Sequence, residues 1–161
     1  MTPRKEIFIK VKQSLAELSV LELVDLQRKQ FTQPKENHPS YFTAALIEIK
    51  SIDWETMVEQ KQVGKATIDV TFYCKDGWMD QHNDTEDPDH GLIEIDVIDN
   101  IIEQLQGLRG DSFKPLDLSK EETVEEAEEI MSYRLSFSTV IYRKINPRFS
   151  PKKISINTSI A

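Results

Sequence analysis

The stretch that decides the fold is residues 65–74, KATIDVTFYC. Apolar and polar residues alternate strictly along it. The first set is Ala66, Ile68, Val70, Phe72 and Cys74, and the second is Lys65, Thr67, Asp69, Thr71 and Tyr73. In a β-strand this alternation places the two sets on opposite faces of the sheet. The pattern therefore predicts a sheet with one buried face and one solvated face.

Strand signals recur on both sides of this stretch. Residues 41–52 are rich in β-formers and predict a strand that pairs antiparallel with residues 66–74 across a longish loop at residues 54–64. Residues 133–141 alternate as cleanly and predict a final strand. Residues 112–118 predict a short strand in which Pro115 favours an edge position. Residues 21–31 fit a helix or a strand, with a slight preference for strand.

Two segments show helical periodicity instead. Thr2 is a suitable cap for a helix at residues 3–18, because Pro3 loses no hydrogen bond at the first helical position. From Leu92 onward apolar residues recur every three or four positions until a glycine, Gly107 or Gly110, ends the helix. Two amphipathic helices cover one face of a four-stranded sheet. We therefore predict a two-layer α+β domain with a four-stranded, mainly antiparallel sheet.

Charge is distributed unevenly along the chain. The 161 residues include 20 basic and 28 acidic side chains, a net charge of -8. Residues 143–161 contain five basic side chains and no acidic one, which leaves 15 basic against 28 acidic, a balance of -13, in residues 1–142. An acidic body disfavours a coat on nucleic acid or on an anionic membrane. We predict one domain at residues 1–144, followed by a basic tail at residues 145–161.

Composition also bears on location. No window approaches the roughly 18 consecutive apolar residues of a membrane helix, and residues 1–12 lack the apolar run of a signal peptide. Cys74 is the single cysteine. An intrachain disulfide and a cysteine-based zinc site are therefore excluded. We expect an unprocessed, soluble protein in a reducing cytoplasm.

The acidic loop at residues 76–90 carries side chains that could bind a divalent cation or act as a general base. They are Asp80, His82, Asp84, Asp87, Asp89 and His90. Their spacing lacks the glycine and the terminal glutamate of an EF-hand, so we expect no metal here. A run of glutamates at residues 121–129 has no packed face and predicts a solvated helical turn or a mobile loop.

Other motifs also fail to indicate catalysis. There is no glycine-rich phosphate loop, no Gly-x-Ser-x-Gly elbow and no His-Glu-x-x-His. Cys74 lies on the predicted inward face and is expected in the core. His38 precedes Pro39 in a predicted loop and is expected to be solvated. Residues 109–111 spell Arg-Gly-Asp and are expected to form a helix C-terminus. We predict a non-enzymatic protein without a cofactor.

Three stretches then carry a resemblance to a known family: GKATIDVTFYCKD, IDVIDNIIEQLQGL and YRLSFSTVIYRK. With the order of elements across residues 4–144, they resemble the tail-terminator, or tail-completion, proteins of long-tailed bacteriophages. The resemblance implies an α+β subunit without catalytic residues that forms a ring, commonly a hexamer. It implies three partners: other copies of the chain, the tail-tube protein and the head-connector protein. It also implies that DNA passes through without specific binding, and that the protein resides in the virion.

The basic tail is the predicted assembly arm. Its isoleucines alternate with polar residues, so it could add as a strand to the sheet edge of a neighbouring copy while its lysines face glutamates. The polar sheet face contains aromatic residues, which is typical of a subunit interface. The predicted interface residues are Lys152, Lys153, Ile154, Ile156, Ile160, Arg134 and Tyr142.

Two other functions stay open. The chain could be a small dimeric α+β module that binds a peptide or a small molecule and dimerises through its exposed sheet face. It could also be a metal-assisted hydrolase that uses residues 80–90.

Overall fold

The computed structural model describes residues 1–32, 43–75, 81–126, 130–146 and 156. The elements follow in the order α1 (Pro3–Leu15), β1 (Leu23–Leu26), a 3-10 turn (Gln30–Thr32), β2 (Thr43–Trp54), β3 (Lys61–Lys75), α2 (Ile93–Leu105), β4 (Asp117–Val124) and β5 (Ile130–Lys144). They form an α+β fold with one five-stranded mixed sheet, ordered β1-β2-β3-β5-β4. β1 runs parallel to β2, and the other neighbours are antiparallel.

The predicted strand count of four is wrong, because β1 adds a fifth strand. Residues 44–47 of β2 pair with β1 in parallel. All four residues of β1 are half-buried, so the strand lacks the alternation of a one-faced strand and is short enough to fit a helix equally well. The slight preference for strand within residues 21–31 is confirmed for this segment.

The connection between β2 and β3 is tighter than the predicted loop. Their pairing continues to Trp54 opposite Gly64, and an isolated bridge then joins Val58 to Lys61. Glu59 and Gln60 have φ of 48° and 65°. Positive φ at both central residues is the geometry of a tight hairpin turn. The turn was not predicted from the sequence, because Glu-Gln stands where Asn-Gly is usual.

The predicted edge strand near Pro115 is present but lies further along the chain. Because β4 begins two residues after this proline, it includes part of the glutamate run. Residues 121–124 are therefore strand rather than a helical turn or loop, and residues 127–129 lie outside the described residues. An edge strand buries little of its surface, so a polar sequence such as KEETV is compatible with this position.

The main core lies between the helices and one face of the sheet. From α1 it includes Ile7, Val11 and Leu15, and from α2 Val97, Ile98, Ile101 and Leu105. The sheet contributes Ala45, Ile47, Ala66, Ile68, Val70, Phe72, Leu135, Phe137 and Ile141. Both predicted helices are confirmed, and Thr2 caps the first. Cys74 is half-buried and packs against this core.

The opposite face is less solvated than the alternation predicts. Asp69, Thr71 and Tyr73 are each 2% exposed or less. The 3-10 turn places Phe31 against the ring of Tyr73, with ring centroids 4.7 Å apart. Phe31, Tyr73, Ala44, Leu46 and Ile130 thereby form a second, smaller apolar cluster. Strand alternation alone does not reveal a turn that covers the second face.

Some predictions fall on residues outside the described ranges. These are His38, residues 41–42 of a predicted strand, Asp80 and, from the tail, Lys152, Lys153, Ile154 and Ile160. Ile156 is described and is 80% exposed. Across the described ranges, no helix is both long enough and apolar enough to cross a membrane.

Candidate functional site

A network of charged side chains crosses the middle of the outer sheet face, the face opposite α1 and α2. Arg134 of β5 donates from Nη2 to Glu126 Oε1 at 2.8 Å. Its Nε lies 3.8 Å from Asp69 Oδ2, and its Nη1 lies 3.8 Å from Glu122 Oε1. Asp69 also accepts from Ser136 Oγ at 2.6 Å, and its Oδ2 lies 3.8 Å from Lys50 Nζ.

Arg134 is engaged within its own chain in this network. Its side chain is 24% exposed. Its Nε is buried and has no hydrogen-bond partner among the described residues. Three carboxylates face this guanidinium, so its charge neutralises Asp69 at a position where water is excluded. The predicted role of Arg134 at a subunit interface stays a prediction.

Tyr73 connects the network to the apolar cluster. Its Oη donates to Glu126 Oε2 and accepts from Gln27 Nε2, the latter at 2.8 Å. Burial raises the pKa of Tyr73 strongly, and the hydrogen bond to Glu126 raises it further. The phenol therefore stays neutral at physiological pH and ties β3 to the segments that follow β1 and β4.

A second polar junction fastens α1 to the loop before β4. Glu6 accepts from the backbone N–H groups of Asp111 at 2.7 Å and Ser112 at 3.0 Å, and from Ser112 Oγ. Burial alone raises the pKa of Glu6, but these hydrogen bonds and Lys10 hold it below the ordinary value of 4.5. The carboxylate is thus a structural anchor in its ionised form.

This junction also corrects the prediction for residues 109–111. α2 ends at Leu105, and Gly107, with φ of 81°, follows it. Gly107 is therefore the terminating glycine. Gly110 instead allows a close approach, since a Cβ there would lie 2.5 Å from Glu6 Oε1. The sequence gives no signal for this contact, because Glu6 and Gly110 lie 104 residues apart.

At one end of the sheet, the end that carries the β2–β3 turn, two exposed lysines lie beside apolar side chains, and the turn itself adds the exposed Glu55 and Glu59. We call it the basic end. Lys61 and Lys144, both exposed, lie directly opposite each other on β3 and β5. Tyr142 is 38% exposed and lines a groove of about 340 Å³ together with both lysines. Like charges directly opposite on a sheet are destabilising, but Asp111 also lines this groove and offsets part of the positive charge.

Apolar side chains extend the basic end. Met57, Val58 and Ile145 are 45%, 68% and 36% exposed. The N–H of Ile145 donates to the carbonyl of Gln60 at 2.9 Å, which brings it to the β2–β3 turn. Arg143, on the other face, stacks on Trp54 at 4.0 Å and donates to Gln62 Oε1. Neither Met57 nor Val58 belongs to a periodic apolar pattern, so the sequence does not predict that they lie together on the surface.

The loop before α2 and α2 itself form an acidic surface. Residues 81–108 contain eight acidic side chains and no lysine or arginine. His82, Asp84, Asp87, Asp89 and His90 are all exposed, and His82 Nδ1 lies 2.9 Å from the carbonyl oxygen of His90. No group of three or more His, Cys, Asp or Glu in the part of the chain that the structure describes could hold a metal ion.

The fold and these surfaces define the chain as an α+β protein with a mixed five-stranded sheet, a basic end and an acidic surface along α2. Searches against protein-family models and against curated proteins find no match.

Proposed function

We propose that this chain is a ring-forming structural subunit of the bacteriophage tail-terminator kind. In this role it caps the tail tube and joins it to the head connector, without catalysis and without a cofactor. Its partners are other copies of itself, the tail-tube protein and the head-connector protein. It assembles in the host cytoplasm and resides in the virion.

The observation that carries the proposal is the open, acidic edge of β4. β4 is the last strand of the sheet and pairs only with β5 among the described residues. Residues 117–126 contain five acidic side chains and one basic one. An open strand edge accepts a further strand through main-chain hydrogen bonds. A basic strand with alternating isoleucines, such as the predicted arm, is complementary to it.

A head-to-tail contact of this kind generates a ring when the rotation between neighbouring copies closes, and an open filament when it does not. If the tail of one copy adds to β4 of the next, the donor and acceptor surfaces differ, so the contact is heterologous. Repeated around an axis, it closes into a ring. A tail that folded onto β4 of its own chain would leave a monomer, and the mass of the particle in solution distinguishes these two cases.

The overall charge supports the same role. With a net charge of -8 per chain, a ring of these chains carries more carboxylates than cations, and we propose that carboxylates line its lumen. Carboxylates repel phosphate groups, so DNA passes such a lumen without being retained. A basic ring would instead bind the backbone at many points.

Negative-stain imaging of the full chain, with a truncation after Asn146, tests the proposal. We expect closed rings for the full chain and none for the truncated chain. A matched pair tests the charge: Lys152→Glu with Lys153→Glu is expected to reduce ring formation, and Lys5→Glu with Lys12→Glu is not. If the truncated chain still forms rings, the tail at residues 147–161 is not the assembly arm.

A dimeric module that binds a peptide or a small molecule is the alternative. It is favoured if the full chain forms dimers that persist on dilution and no rings appear in images. In that case truncation after Asn146 is expected to leave the dimer unchanged.

A further inference from the structure

We infer that the hydroxyl of Tyr73 couples the two edges of the sheet, so that loosening the segment after β4 also loosens the segment after β1. The two segments lie at opposite edges, because β1 and β4 are the first and last strands in the sheet order. Sheet edges are where further strands add, so this coupling lets one edge respond to what happens at the other. The coupling belongs to the single chain and goes beyond the proposed function.

Tyr73 stands at the middle of one row of residues that crosses all five strands. In this row Leu23 pairs with Ala44, Ala44 with Tyr73, Tyr73 with Ser132, and Ser132 with Val124. At about 4.8 Å between neighbouring strands, the row spans about 19 Å from β1 to β4. The central position leaves the tyrosine about equally far from both edges.

The hydroxyl of Tyr73 bonds to one residue from each edge. It accepts from Gln27 Nε2 at 2.8 Å and donates to Glu126 Oε2. Gln27 directly follows β1, and Glu126 lies two residues beyond the end of β4. Burial raises the pKa of Tyr73 well above its usual range, so the hydroxyl keeps its proton and makes both hydrogen bonds at once. Two segments from opposite edges thus meet at a single oxygen atom.

Both partners of this hydroxyl are also held by other groups. The N–H of Gln27 donates to the carbonyl of Ile47 at 2.9 Å, and Gln27 Oε1 accepts from the N–H of Lys29 at 2.9 Å. Glu126 Oε1 accepts from Arg134 Nη2 at 2.8 Å. Movement of either side chain is therefore tied to movement of the segment that carries it.

The two hydrogen bonds of Tyr73 support each other. Neighbouring hydrogen bonds polarise one another, so a hydroxyl that donates is a better acceptor. The ring stacks on Phe31, and Tyr73 as a whole is 1% exposed, so little water reaches the hydroxyl to replace a lost partner. Loss of the bond on the β4 side therefore weakens the bond on the β1 side.

Hydrogen exchange of backbone amides, measured by NMR on the full chain, tests the coupling. Glu126→Ala removes the partner on the β4 side, and the N–H of Gln27 at the opposite edge is expected to exchange about threefold to tenfold faster. Tyr73→Phe keeps the ring, removes only the hydroxyl and is expected to have the same effect. In the chain with both substitutions, Glu126→Ala is expected to add nothing at Gln27, because the route through the hydroxyl is already gone.

Two matched controls change β4 without changing the hydroxyl of Tyr73. Glu122→Ala removes the same charge from β4, where Glu122 pairs with Lys120 and Arg134. Tyr133→Phe removes a hydroxyl that donates to Glu121 of β4 at 2.8 Å. Both are expected to speed exchange along β4 and to leave the N–H of Gln27 within about twofold of wild type.

Three results overturn the inference: unchanged exchange at Gln27 in Glu126→Ala and Tyr73→Phe, an equal effect of the two controls at Gln27, or additive effects in the double variant. Circular dichroism checks the fold of every variant, and Tyr73→Phe alone carries the test if Glu126→Ala does not fold. None of these results depends on ring formation, so the inference and the proposed function fail separately.

Discussion

Glu6 Oε1 accepts a hydrogen bond from the backbone N–H of Asp111 at 2.7 Å, across 105 positions of sequence. The contact joins α1 to the loop that leads into β4, next to the basic end. Because the same carboxylate also accepts from the N–H of Ser112, one side chain sets the path of the chain before the edge strand.

Glu6→Gln is expected to destabilise the fold by about 1–3 kcal/mol, because an amide NH₂ then competes with backbone donors for the same space. Urea unfolding measures the difference. Glu17→Gln, at an exposed position after α1, is the matched control and is expected to change the free energy of unfolding little. Equal effects of the two substitutions would contradict the anchoring role of Glu6.

The pH dependence of stability follows from the same carboxylate. Burial opposes ionisation of Glu6, but hydrogen bonds from Ser112 and Asp111 outweigh it and hold the pKa below 4.5 in the folded chain. A group with a lowered pKa stabilises the fold above its unfolded pKa, and this contribution is lost as pH falls through the folded pKa. The difference in stability between wild type and Glu6→Gln is therefore expected to shrink below about pH 4.5. A difference that grows on acidification would contradict this.

Gly110→Ala tests the close approach at this junction. The new Cβ would lie 2.4 Å from the ring of Phe113 and 2.5 Å from Glu6 Oε1, so a cost of about 1–3 kcal/mol is expected from overpacking. Gly107→Ala is the comparison, since nothing lies within 4 Å of its added Cβ and only the positive φ opposes it. We expect the smaller loss, about 1 kcal/mol, at Gly107. A larger loss of stability for Gly107→Ala than for Gly110→Ala in thermal unfolding would argue against close packing between Gly110 and Glu6.

Arg134 and Lys50 both approach Asp69, but their environments differ. The Arg134 side chain is 24% exposed and that of Lys50 is 57% exposed. Arg134→Met leaves Asp69 and Glu126 without their main cation and is expected to cost about 1–3 kcal/mol. Lys50→Met removes an exposed charge and is expected to cost less than about 1 kcal/mol. Denaturant unfolding of the two variants measures the loss in free energy of unfolding for each. Equal losses would show that the network is not organised around Arg134.

Ionic strength is expected to weaken self-association. The Debye length falls from about 10 Å at 0.1 M salt to about 3 Å at 1 M, so attraction between exposed lysines and carboxylates is screened. Sedimentation velocity across this range is expected to show dissociation. An assembly that strengthens with salt would indicate a purely apolar interface instead.

The elements that the sequence predicted correctly are those with one buried face. In β3 the alternation of Ile68, Val70 and Phe72 reports burial directly, and in α2 the spacing of Val97, Ile101 and Leu105 does the same. β1 was ambiguous because parallel pairing beside α1 leaves all four of its residues half-buried. The polar β4 was missed beyond Leu118 because an edge strand needs little burial.

The side-chain contacts of the candidate site could not be predicted from the sequence, for a physical reason. The anchor at Glu6, the Phe31–Tyr73 stack and the Arg134 network each join residues that are distant in the chain, and no local pattern encodes such pairs. The distribution of charge was easier to predict than these contacts, because the clustering of basic residues after Tyr142 is visible in composition alone. The basic end, however, also depends on Lys61, which only the β3–β5 register brings beside Lys144.

The mass of the full chain in solution tests the central claim most directly. Light scattering across a range of concentrations is expected to give a defined multiple of the 18.6 kDa chain, falling to a lower mass when residues 147–161 are removed. A mass of 18.6 kDa at every concentration would contradict self-assembly of this chain.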